Sequence, residues 1–184
     1  ADPMITRVNP ERPYKKDGRT VLMYAGMGGS AECIKHLLNH GTNEYAKAKL
    51  RDALNAKKES ALAFAARNGH TEACKLLLEA GISIDHEIEE DYWTSLHRAA
   101  ANGHESTVRE LLHQVQERDT AKHDKLINHK NPTGITPLIA AANSNHAVIV
   151  GLLLEKGADP ARTLETGANA LYEAAKLGQV ASLR

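Results

Sequence analysis

Thr136-Pro137-Leu138-Ile139-Ala140-Ala141-Ala142, residues 136–142, opens a short helix and carries its own start signal. A threonine hydroxyl at the head can accept one of the first-turn N–H groups that no helical carbonyl serves. Pro137 follows where a missing amide hydrogen costs nothing and a fixed φ already suits a helix. The alanines leave room for a second helix to approach closely. Asn145-His146 then breaks the pattern, Val150, Leu153 and Leu154 mark the apolar stripe of a second helix, and Gly157 closes it.

The same register recurs four times. Thr20-Val21-Leu22-Met23-Tyr24-Ala25-Gly26, Ser60-Ala61-Leu62-Ala63-Phe64-Ala65-Ala66, Thr94-Ser95-Leu96-His97-Arg98-Ala99-Ala100 and Asn169-Ala170-Leu171-Tyr172-Glu173-Ala174-Ala175 align with it. The shared leucines stand at 22, 62, 96, 138 and 171, so the spacings are 40, 34, 42 and 33. Each copy breaks shortly after its small pair, at Gly29-Ser30, Gly69-His70, Gly103-His104, Asn145-His146 and Gly178-Gln179. Second apolar stripes follow at Ile34/Leu37/Leu38, Cys74/Leu77/Leu78 and Val108/Leu111/Leu112, and glycine closes two of them at Gly41 and Gly81. Gly69 and Gly103 are expected at positive φ, the sharp turn between helices.

Repeated helix pairs with this spacing resemble the ankyrin repeat, with its Thr-Pro-Leu-His signature and period near 33 residues. The Gly-x-Thr start at Gly18-Arg19-Thr20 and Gly134-Ile135-Thr136 carries the resemblance further. It implies an all-α solenoid of stacked helix-turn-helix repeats with protruding finger loops. Helix pairs are expected over about 20–39, 60–79, 94–117 and 136–155, with one more helix at 169–177. Residues 1–14 read as an N-terminal extension, with 1–3 a cloning remnant, and 15–184 as the repeat domain. The repeats fall near 15–43, 55–83, 91–115, 131–160 and 165–184, the last partial. Long connectors at 44–57 and 116–130 depart from the pattern, the first with the composition of a helical turn or two. Half a repeat leaves an apolar face without a neighbour, so the chain reads as a piece of a longer protein, with Leu171 and Ala175 expected to pack on copy four and Val180 and Leu183 exposed.

Composition narrows the function. Lys+Arg and Asp+Glu balance at 23 each, which gives no electrostatic case for nucleic acid or membrane surface. No apolar run approaches the roughly 20 residues of a membrane span, and no secretory leader is visible. Cys33 and Cys74 both fall in helical patterns, which favours free thiols and an intracellular location, cytoplasmic or nuclear. A monomer without a cofactor is expected.

No catalytic set converges. His36 and His40 have an i, i+4 spacing but no third ligand. His70, His104 and His146 recur at one repeat position, and the resemblance implies that they bond neighbouring backbone. Cys74 aligns with Ile34 and Val150 and reads as a core hydrophobe. The glycines at 26–29 follow no strand, so they make no phosphate cradle.

The expected activity is therefore protein binding, and the resemblance places it on the concave face of fingers and first helices. Positions that vary between copies are where specificity can reside. They give Tyr24, Phe64, Arg67, Trp93, Arg98, Asn102 and Asn143 as candidates, with Glu90 and Asp91 on the third finger. Trp93 reads either as an exposed anchor or as glue between fingers, and Tyr24, Phe64 and Arg98 as a peptide slot or as partial core. The acidic run from Asp85 to Asp91, beside basic first and second fingers, reads as steering charge or as a rim paired within the molecule. Three alternatives compete with the concave face: binding by the long connectors, recruitment of substrate to a catalytic part elsewhere in a parent protein, and structural self-association.

Overall fold

A computed structural model gives the fold and describes residues 18–39, 48, 50–88, 90–116 and 119–176. His40, Val180 and Leu183 lie outside them. Ten helices run through the described residues: α1 Val21–Gly28, α2 Ala31–Asn39, α3 Ala61–Arg67, α4 Thr71–Glu79, α5 Ser95–Ala101, α6 Glu105–Gln116, α7 Thr120–Ile127, α8 Pro137–Asn143, α9 Ala147–Glu155 and α10 Ala170–Lys176. Residues 48, 50 and 51 are also helical, inside the first long connector. Among the described residues the only β-pairing is an isolated antiparallel bridge between Thr163 and Asn169.

The helices form two rows. First helices α1, α3, α5, α8 and α10 pack in sequence, and second helices α2, α4, α6 and α9 pack in a parallel row behind them. The caps work as the register requires. Thr20 Oγ1 accepts from Met23 N at 3.3 Å, Ser60 Oγ from Ala63 N at 3.2 Å, Thr136 Oγ1 from Ile139 N at 3.2 Å and Asn169 Oδ1 from Tyr172 N at 2.9 Å. The second connector holds α7, capped by Asp119 Oδ1 accepting from Lys122 N at 3.0 Å and packed against α6.

One face of each first helix looks back along the stack and another looks forward. Ala61, Ala65, Ser95, Ala99, Ala141, Ala170 and Ala174, one and five residues after each cap, are buried. The leucines two residues after the cap are buried at Leu22, Leu62, Leu96 and Leu138, but Leu171 is 60% exposed. In the last copy it is Ala170 and Ala174, not Leu171 and Ala175, that pack on copy four. Leu171 and Ala175 point forward, where the described chain has no further copy.

Left-handed backbone recurs at two sites along the stack, besides Gly81 and Gly157 after the second helices. Between the helices it falls at Gly29, Gly69, Gly103 and Asn145, with φ of 69°, 74°, 80° and 60°. The glycines have a second duty. A Cβ there would sit 2.5 Å from His70, 2.5 Å from His104 and 2.6 Å from His146, respectively. Each ring lies over the glycine of the preceding copy, and its Nε2 donates to that copy's backbone: His70 to Met27 O at 3.0 Å, His104 to Arg67 O at 2.9 Å and His146 to Ala101 O at 3.2 Å. The second left-handed site is two residues before each first-helix cap. It holds Gly18, Gly134 and Gly167, but also Lys58 at φ 59° and Tyr92 at φ 56°. A side chain in that region costs roughly 1–2 kcal/mol.

Candidate functional site

The fingers are tight hairpins closed by backbone bonds: Asn55 N donates to Glu59 O at 3.1 Å, Asn131 N to Ile135 O at 3.0 Å and Leu164 N to Ala168 O at 2.7 Å. In the third finger Ile88 N donates to Trp93 O at 3.1 Å, which makes it one residue longer. Two buried asparagines fix the tips. Asn55 Oδ1 accepts from Glu59 N at 2.8 Å and Lys57 N at 3.0 Å. Asn131 Oδ1 accepts from Ile135 N at 2.8 Å, while its Nδ2 donates to Asp91 O at 3.1 Å and ties the fourth finger to the third. Sequence reasoning passed over both asparagines, although each stands five residues before its copy's cap.

Behind the fingers the first helices carry the candidate row. Phe64 is buried, and the Arg19 guanidinium lies 4.9 Å from its ring centre and 6.0 Å from that of Tyr24. Of the two readings for this row, burial describes Phe64, while Tyr24 keeps 38% of its surface exposed.

Copy three builds the densest cluster. His97 is buried; its Nε2 donates to Ile135 O at 3.2 Å, and its Nδ1 accepts from Thr94 N at 3.3 Å and Thr94 Oγ1 at 2.9 Å. Both nitrogens are used by the neutral ring, and burial pushes its pKa down to about 3. Trp93 stacks on His97 at 5.7 Å between ring centres, and His129 meets His97 edge-on at 5.6 Å. Arg98 lies 5.1 Å over Trp93 and pairs with Asp91 Oδ2 at 2.8 Å. Trp93 is thus half-buried between a ring and a guanidinium.

The remaining candidates surround that cluster. Arg67 is exposed and 3.8 Å from Glu59 Oε1; Asn102 is exposed and donates to Arg98 O at 2.7 Å; Asn143 is half-buried at the end of α8. The described acids of the run pair within the molecule. Glu90 meets Lys57 at 2.7 Å, Asp91 meets Arg98, Asp85 meets Lys122 at 2.8 Å and Glu87 meets His129 at 2.8 Å. The Lys57 ammonium, bonded to it, holds the Glu90 carboxyl below its ordinary pKa.

Burial, with Glu110 nearby, pushes the Cys74 thiol up to about 12, so it is no nucleophile. No cluster of three metal-ligating side chains exists among the described residues. No helix among them is long and apolar enough to cross a membrane. A cavity of about 420 Å³ lies between the loop after α4 and the start of α7, walled by Ile82, Ile84, Val115 and Lys122.

Stacked helix pairs, joined by glycine–histidine contacts and fringed by hairpin fingers, define a repeat solenoid. The family model for ankyrin repeats (3 copies) matches residues 4–88, 46–124 and 96–184. The chain belongs to the ankyrin-repeat family, whose repeats are in general non-catalytic modules for protein–protein interaction. Among its relatives is XBAT31 of Arabidopsis thaliana, whose name places it with the E3 ubiquitin-protein ligases; it is 32% identical over 153 residues, 82% of this chain and 32% of that protein. The transient receptor potential cation channel subfamily A member 1 homolog of Caenorhabditis elegans is 39% identical over 94 residues, 51% of this chain and 7% of the channel protein. The ankyrin repeat and KH domain-containing protein mask-1 of Caenorhabditis elegans is 31% identical over 142 residues, 77% of this chain and 5% of its own length. The chain therefore spans a third or less of each of these relatives.

Proposed function

We propose that this chain holds a protein or peptide partner on the concave face made by its fingers and first helices. The observation that carries the reading is a pair of arginine-on-aromatic stacks, Arg19 over Phe64 and Arg98 over Trp93. Stacked guanidinium groups are already ordered, so little side-chain freedom is lost when a partner arrives. Tyr24, Arg67 and Asn102 stand exposed along the same first helices, with Asn143 and the Glu90–Asp91 finger at the margin. The free thiols of Cys33 and Cys74 suit an intracellular module, cytoplasmic or nuclear.

Affinity capture on the immobilised chain, followed by titration of whatever is retained, tests this. Replacing Tyr24, Arg67 and Asn102 together by Ala should weaken the captured partner more than tenfold and leave helicity unchanged. Trp93 is a poorer probe because its removal uncovers His97. Unchanged binding by the triple variant, with loss on replacing α7, would move the site to the connectors.

A second reading concerns the parent protein. Similarity to a third of XBAT31 supports a module that brings substrate to a catalytic part elsewhere in a longer chain. The full reading frame decides this. Light scattering of the purified chain separates a monomeric binder from a self-associating spacer.

A further inference from the structure

The five finger positions two residues before each cap share one left-handed conformation, yet only three of them hold glycine. Lys58 and Tyr92 hold it in consecutive fingers, the second and the third. Bulky side chains are rare there because the Cβ crowds the backbone. Strain kept at two neighbouring sites, where sister copies avoid it, points to a use for the side chains themselves.

The fold does not supply that use. Among the described residues neither side chain has a hydrogen-bond, ion-pair or ring partner, and both are exposed, Tyr92 by 45%. The tips are held by other groups: Lys57 bridges to Glu90, Asn55 closes the second finger, and Asn131 grips the backbone of the third. Charge narrows the partner. Among the described residues of the two fingers, Lys57 is matched by Glu90, Arg98 by Asp91 and Arg67 by Glu59, whereas the Lys58 ammonium has no carboxylate partner.

We propose that Lys58 and Tyr92 form a two-point grip for an acidic extended segment of a protein partner, Lys58 taking a carboxylate and the Tyr92 ring an adjacent apolar side chain. The Lys57–Glu90 ion pair, at 2.7 Å, links the two fingers beside these positions. Exposed Tyr on a rigid support is common anchor chemistry. The inference rests on the module reading above but not on its choice of face.

The test uses Lys58→Gly, Tyr92→Gly and the double variant, with a random twelve-residue peptide library displayed on phage as probe. Peptides selected on the parent chain should be enriched in Asp or Glu next to an apolar residue. They should bind the double variant at least tenfold more weakly. The same variant should melt about 1–3 °C higher, since glycine relieves the left-handed backbone at some entropic cost. Peptides without acidic bias, equal binding by the double variant, or a lowered melting temperature would each overturn the proposal. The triple variant at Tyr24, Arg67 and Asn102 keeps the two readings apart. Peptides lost only there would leave the concave face standing and the grip refuted, and peptides lost only on the glycine variants would do the reverse.

Discussion

The two ends of the stack fail in opposite ways. In the first copy the back-facing Val21 and Ala25 are half-exposed while forward-facing Leu22 and Gly26 are buried. In the last, back-facing Ala170 and Ala174 are buried while forward-facing Leu171 and Ala175 are exposed. Equivalent residues therefore differ in worth according to which neighbour exists. A leucine at this register belongs energetically to its own second helix and to the copy after it, not to the copy before.

The sharpest way to break the comparison is to truncate both leucines. Leu22→Ala should cost about 2–5 kcal/mol in urea unfolding, the range for a buried leucine. Leu171→Ala should cost less than about 0.5 kcal/mol, as at other open surface sites. Equal losses would mean that the exposure of Leu171 does not describe the folded chain in solution.

The joints offer a second test. Gly103→Ala meets the His146 ring and a left-handed φ of 80° together, so it should cost about 2–3 kcal/mol, and Gly29→Ala a similar amount against His70. Circular dichroism melts of the two variants would check this, and a loss below about 0.5 kcal/mol in both would remove the rings from the account of stacking.

Acid separates the centre from the ends. Where copy three carries His97, the ends carry Met23 and Tyr172. The folded His97 pKa, about 3, lies below the ordinary value near 6.5, so the unfolded chain takes a proton that the folded chain refuses. That stability is whole above pH 6.5 and drains as pH falls toward 3, by up to about 1.4 kcal/mol per unit. From pH 7 to 5 the loss should be about 2 kcal/mol more than in His97→Gln. Identical pH slopes would show that the ring is open to solvent or already charged. The smallest effect is expected at Asn145, whose left-handed φ of 60° glycine would relieve by about 0.5 kcal/mol, read as a small rise in melting temperature.

Helix starts were legible because Thr20, Ser60, Thr94, Thr136 and Asn169 mark them by local chemistry. Left-handed backbone was legible between the helices at Gly69 and Gly103, but not at the finger site, where Lys58 and Tyr92 give no local sign of their backbone. Contacts between copies were harder still. The partner of Glu90 is 33 residues away and that of Glu87 is 42, so the sequence offered both steering charge and a paired rim but could not name the partners. Phe64 was placed on the right helix, but its cover, Arg19, comes from the preceding finger. Leu171 was assigned to the wrong neighbour because a repeat motif shows which positions are apolar, not which way each one faces.

The glycine–histidine contact also sets a rule for the order of copies. A copy that begins its second helix with His needs a predecessor whose helix turn ends in Gly, since a Cβ there would fall within 2.6 Å of the ring. Copies one, two and three meet that condition for their successors. Copy four, with Asn145, does not, and the residue at the histidine place in copy five is Gln179. Duplicating copy four in tandem would set His146 of the new unit against Asn145 of the old. Units of this chain are thus not freely interchangeable beads: recombination can shuffle or lengthen the array only along joins whose two halves were already matched.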